Sequence, residues 1–88
     1  MKFYSFYDRD LKLYNPPFSA ADDNAAVKLT RNMLINAPDS VLNKVLSITD
    51  LECIGSFDDK TGFFENDKHF VCALDSIPLS NYSPEEVK

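Results

Sequence analysis

The sequence predicts an α+β fold: a small antiparallel β-sheet made of two hairpins, with one main amphipathic α-helix packed on one face. Three observations lead there. Short runs rich in aromatic and aliphatic residues, 2–7 and 11–14, flank a charged turn near the start. A capped, 3.6-periodic stretch follows from about Asp23 to Asn36. Leu51 to Phe57 then alternates in period two and runs into Asp58-Asp59-Lys60-Thr61-Gly62, the composition of a hairpin loop. Eighty-eight residues are enough for one domain, taken as 1–75, with 76–88 as a flexible C-terminal tail.

The first hairpin holds six of the chain's eleven aromatics (Phe3, Tyr4, Phe6, Tyr7, Tyr14 and Phe18). A two-residue turn at Arg9-Asp10 would set Phe6 opposite Leu13, and a three-residue turn would shift that register. In either case strand one carries rings on both faces. One face should meet the helix, and the other is a candidate partner surface. Asn15-Pro16-Pro17 ends the second strand, because proline lacks an amide donor and restricts its predecessor to extended geometry.

Ser19, Asp22, Asp23 and Asn24 offer N-caps for the main helix, with acidic charge where the helix dipole favours it. Ala26, Leu29, Met33 and Ala37 share one helical face, with Leu34 beside it, and these are the expected core positions. Pro38 and Asp39 stop the helix. Residues 40–47 suit a short second helix with Val41, Leu42, Val45 and Leu46 inward, a strand being the alternative that Asn43-Lys44 in the middle disfavours. In the period-two strand, Gly55 marks a bulge or a close approach. Gly62 is placed for positive φ in the loop. Phe63-Phe64 begin the returning strand, and 69–74 add another. Pro78, Pro84 and several serines describe an extended tail.

Composition narrows the function classes. Net charge is −5, and the nine basic residues are scattered with no two adjacent. Phosphate neutralisation calls for clustered Lys and Arg, so tight nucleic-acid binding is disfavoured unless folding gathers Lys2, Arg9 and Lys12 on one side of the first hairpin. No apolar run approaches the length of a membrane span, and Met1 leads straight into a strand-like pattern. Cytoplasmic residence is therefore expected, with no membrane association.

Cys53 and Cys72 read as two small buried thiols. One histidine, His69, cannot by itself complete a four-ligand zinc set with them. Asp58-Asp59 lacks the alternating frame of a calcium loop. Phosphate-loop, dinucleotide and HExxH patterns are absent. No catalytic residue, metal or cofactor is expected. An enzyme would need a pocket placing His69 beside Cys53 or Cys72. The site residues expected from sequence are Phe3, Tyr4, Tyr7, Arg9, Lys12 and Tyr14. Such rings either stack single-stranded bases, at ~1–3 kcal/mol per base, or form core and protein contacts, which the negative charge favours.

Two motifs then agree with a known family. Tyr4-Ser5-Phe6-Tyr7-Asp8, followed by Asn15-Pro16-Pro17-Phe18 and Asn24-Ala25-Ala26, resembles the Y-x-x-Y-D, G-P-P-F and N-D-x-x-A elements that open the small nonstructural protein of gokushovirus-type microviruses. Leu51 to Gly62 resembles that family's L-x-x-I-G-x-F-D-x-x-T-G. Asn15 stands where the family usually has glycine. The resemblance spans about residues 3–64. It implies a non-enzymatic protein of a single-stranded DNA phage, made in the host bacterial cytoplasm and acting in genome synthesis and packaging. Its partners would be the replication initiator or the packaging and procapsid proteins, with single-stranded DNA itself as the alternative and a homodimer as the expected state.

Overall fold

A computed structural model describes residues 1–79. The chain runs β1 (Lys2–Asp8), β2 (Leu13–Tyr14), β3 (Phe18–Ala20), α1 (Asp23–Ile35), α2 (Asp39–Ile48), β4 (Thr49–Phe57), β5 (Phe64–Glu65), β6 (His69–Ala73) and a 3-10 turn at Leu74–Ser76. The fold is α+β. β1 and β4 pair antiparallel at the centre, with Tyr4 opposite Cys53 and Phe6 opposite Leu51. β2 and β3 both pair with β1, and β5 and β6 both pair with β4. Two hairpins therefore meet through their first strands.

Each outer lane is a broken strand, and the sequence explains the first break. Pro16 and Pro17 have no amide to donate, so the ladder lapses between β2 and β3. Pairing then resumes with Phe18 opposite Tyr4, so the prolines interrupt the strand where sequence reading had ended it. Ser5, buried at this break, donates its hydroxyl to the Asn15 carbonyl at 2.6 Å. Neither expected turn forms. The hairpin closes with Tyr7 opposite Tyr14 and Asp8 opposite Leu13, leaving four loop residues, 9–12. Asp8 Oδ1 accepts from the amides of Asp10 and Leu11, both at 2.9 Å. The Lys12 amide closes back on the Asp8 carbonyl at 2.7 Å, with Lys12 at φ 58°. An aspartate that satisfies two loop amides stabilises the longer turn.

The core comprises Tyr4, Ala26, Leu34, Leu51, Cys53, Leu74 and Ile77. Both helices lie on the face carrying Tyr4, Phe6, Leu51 and Cys53. The Cα trace is 17 Å through its shortest axis, which accommodates two layers and leaves the second sheet face without a helix. Asp22 caps α1 by accepting from the Ala25 amide at 2.8 Å. The face that α1 buries keeps Ala26 and Leu34 of the expected set but is rotated away from the rest. Ala26, Thr30 and Leu34 are buried, whereas Leu29 and Met33 are exposed. Thr30 can be buried because its hydroxyl donates to the Ala26 carbonyl at 2.8 Å and satisfies itself within the helix. α2 forms where expected, and Leu42, Val45 and Leu46 pack half-buried against the core, whereas Val41, expected inward, is exposed. Ile77 is buried and Leu79 packs against the core, so packed chain runs past residue 75. The remainder of the expected tail, 80–88, lies outside the described residues.

Gly55 is the close approach its position in the strand suggested. β4 bulges at this point, since Phe3 pairs with Gly55 and Tyr4 with Cys53. A Cβ on Gly55, at φ 154°, would lie 2.5 Å from the Phe64 ring and from the Glu65 carbonyl oxygen. At Gly62, φ is 78° and the added carbon meets nothing within 4 Å. Gly62→Ala therefore carries only the left-handed backbone cost, about 1 kcal/mol. Gly55→Ala adds a steric clash and should cost about 2–4 kcal/mol. Urea unfolding of both variants checks the ranking, and equal losses would contradict the close approach at Gly55.

Candidate functional site

An unpartnered apolar surface lies on the helix side. Because α1 turns Thr30 inward, Leu29 and Met33 fall at its margin, 51% and 46% exposed. Val41 of α2 is 50% exposed. A hollow of about 280 Å³ opens where α1, α2 and β1 meet, lined by Phe6, Met33, Ala37, Val41 and Val45 among others. Beside it a shallower hollow of about 350 Å³ is lined by Phe6, Phe18, Leu29, Thr30 and Met33. Phe6 and Met33 belong to both, so the two form one apolar groove. Contiguous apolar surface of this kind is the usual mark of a docking site. Sequence reading missed it by assigning Leu29, Met33 and Val41 to the core. The available signal was Thr30, an alternative inward position on the same helix.

The residues expected to form the site divide between two faces and a loop. Tyr4 is wholly buried under α1, so it offers no ring to a partner. Phe3, Tyr7 and Tyr14 lie on the helix-free sheet face. Tyr7 packs on Tyr14 with ring centroids 4.7 Å apart, and Phe3 lies 6.0 Å from Phe64. Phe70, opposite Glu52, adds an exposed ring to this face. The cations there are engaged internally. Lys68 lies 3.9 Å from Glu52 and 4.6 Å over the Tyr14 ring, and the Tyr14 hydroxyl donates to Glu52 at 2.8 Å. Arg9 donates to the Ser47 carbonyl at 2.7 Å, near the end of α2, and lies 3.8 Å from Asp50. Lys12 sits apart in the hairpin loop. Folding thus interleaves carboxylates with the rings and gathers no basic patch around them.

A third grouping joins residues distant in sequence. His69 in β6 is the cross-strand partner of Cys53 in β4, and Asp23 in the first turn of α1 reaches both. The His69 Nε2 lies 2.9 Å from Asp23 Oδ2, while the Tyr4 hydroxyl donates to Asp23 Oδ1 at 2.6 Å. The Tyr4 hydrogen bond first, then His69, holds the Asp23 carboxyl below its usual range. Asp23 in turn raises His69, and burial followed by Asp23 raises the Tyr4 phenol. His69 does stand beside a cysteine, but its Nε2 faces a carboxylate and Cys53 is 1% exposed. The arrangement ties α1 to the sheet. Both cysteines are free, and burial raises the Cys72 thiol.

A family model described as "Phage ORF5 protein" matches residues 1–77 of the chain. No curated protein and no solved structure gives a match.

The Asp23–His69 pair makes stability depend on pH in a definite direction. His69 is raised in the fold, so its contribution is fully present below about pH 6.5 and is lost as pH rises through the folded value. Asp23 is lowered, so its contribution is present above about pH 4 and is lost as pH falls through its folded value. Both side chains are two-fifths exposed, which limits the pair to about 0.2–1 kcal/mol. In metal-free buffer, wild type should exceed His69→Gln by that amount near pH 5.5 and converge with it in mild alkali. A difference that grows with pH would contradict the ion pair.

Proposed function

This chain belongs to the Phage ORF5 protein family, and from that premise we propose that it is a non-enzymatic adaptor in single-stranded genome synthesis and packaging of a gokushovirus-type phage. It docks on a protein of the replication or packaging machinery, the initiator or a procapsid component, through the apolar groove between α1, α2 and β1. The observation that carries this reading is a contiguous exposed apolar set, Val41 of the amphipathic second helix beside Leu29 and Met33 of the first. The net charge of −5 and the internal pairing of Arg9 and Lys68 favour a protein partner over a phosphate backbone.

A second reading rests on the helix-free face, where Phe3, Tyr7, Tyr14, Phe64 and Phe70 offer rings to single-stranded DNA. Glu52 and Asp50 lie on this same face and oppose a polyanion.

The two readings separate cleanly. Capture of purified initiator or procapsid protein by the wild-type chain is expected, with affinity falling at least about tenfold in Met33→Glu/Val41→Glu, as loss of a groove anchor requires. Circular dichroism should show an unchanged fold, since both positions are half exposed. Fluorescent oligonucleotide titration at low salt should show no micromolar binding. Equal capture by the groove variant, or DNA binding abolished by Tyr14→Ala/Phe70→Ala, would overturn the groove reading.

A further inference from the structure

The grouping at the start of α1 has the donor chemistry of a metal site. Asp23, Cys53 and His69 bring a carboxylate, a thiol and an imidazole from three different elements, with all ligand atoms within 4.8 Å of one another. We propose that these three side chains form a binding site for one zinc ion, with water as the fourth ligand.

Mixed sulfur, nitrogen and oxygen donors suit zinc, which favours four tetrahedral ligands and tolerates all three. Zinc–sulfur and zinc–nitrogen bonds of about 2.3 and 2.0 Å place those ligand atoms about 3.5 Å apart around a tetrahedral centre. A group no wider than 4.8 Å reaches that by side-chain movements of about an ångström. His69 and Cys53 are cross-strand partners, so the sheet itself fixes their spacing.

The surroundings resemble the outer shell of a ligating set. His69 Nδ1 lies 3.4 Å from the Asp67 carbonyl. In the tautomer donating that bond, Nε2, which faces Asp23 Oδ2, carries the lone pair that a metal ligand needs. Metal-bound histidines characteristically donate their second nitrogen to a carbonyl or carboxylate in this way. Tyr4 holds Asp23 Oδ1 at 2.6 Å, orienting the carboxylate and leaving Oδ2 for the ion. The Cys53 sulfur has only a long contact, 3.8 Å, to the Gly55 carbonyl. Asp23 and His69, both two-fifths exposed, open the position to solvent while Cys53 closes it from beneath. Binding releases the thiol proton and any proton on Nε2, and it joins α1 to β4 and β6 through one ion.

The test uses the full chain, reduced and stripped with chelator, and dialysed against zinc and separately against cobalt(II). One zinc per chain is expected, with a rise in melting temperature. Cobalt should give a tetrahedral visible spectrum with a thiolate charge-transfer band. Cys72→Ser should keep both signals. His69→Gln should lower zinc affinity at least about tenfold, and Cys53→Ser should abolish the charge-transfer band. If Cys53→Ser fails to fold, wild-type cobalt spectra and His69→Gln still decide. No retained zinc, a cobalt spectrum without the thiolate band, or unchanged binding by His69→Gln would each overturn the site.

Discussion

Asp23 is the point at which the helix layer is fastened to the sheet. Its Oδ1 accepts from Tyr4 in β1 and its Oδ2 faces His69 in β6, so one carboxylate in the first turn of α1 bridges the two strands that flank β4. The anchor sits where a helix favours negative charge, and it fixes both the position and the rotation of α1. With the first turn held over Tyr4 and Cys53, the residues meeting the core on later turns are Ala26, Thr30 and Leu34. The apolar groove is a consequence of that rotation.

A rotation that buried Leu29 and Met33 would enclose more apolar area, and burial of that kind is the dominant favourable term in folding. The chain instead buries a threonine whose hydroxyl is satisfied only by its own helix. It leaves two large apolar side chains facing solvent, beside a second helix whose Val41 is exposed as well. Local departures of this sort from the expected pattern are typical of functional surfaces. On the helix-free sheet face the charged groups are matched, Glu52 to Lys68 and Tyr14 and Asp50 to Arg9, and these carboxylates stand among its exposed rings.

Much of the fold was legible because its signals are local. Asp22 preceding a periodic run gave α1, alternation through Leu51 and Cys53 gave β4, and Asp58 with Gly62 gave the second loop. What was not legible depends on contacts across the chain. The length of the first turn depends on Asp8 accepting from two amides, and the return of pairing at Phe18 depends on β1 extending past the prolines. The inward face of α1 could not be read from periodicity alone. Ala26-Leu29-Met33 and Ala26-Thr30-Leu34 both follow helical spacing, and only the Tyr4–Asp23 contact selects between them. The site divided for the same reason. Period two places Tyr4 and Tyr7 on opposite faces, and the sequence gives no means of knowing which face the helices cover. Asp23, Cys53 and His69 carry no spacing motif at all, because a helix start and two paired strands bring them together.

Methyl NMR of the free protein with a soluble paramagnetic agent tests the rotation of α1 most directly. Met33 is the only methionine besides Met1, so its methyl resonance is readily assigned. The account predicts strong broadening of the Met33, Leu29 and Val41 methyls, with Leu34 and Leu51 spared. Met33 and Leu29 protected to the same degree as Leu34 in a monomer would place them in the core and remove the groove.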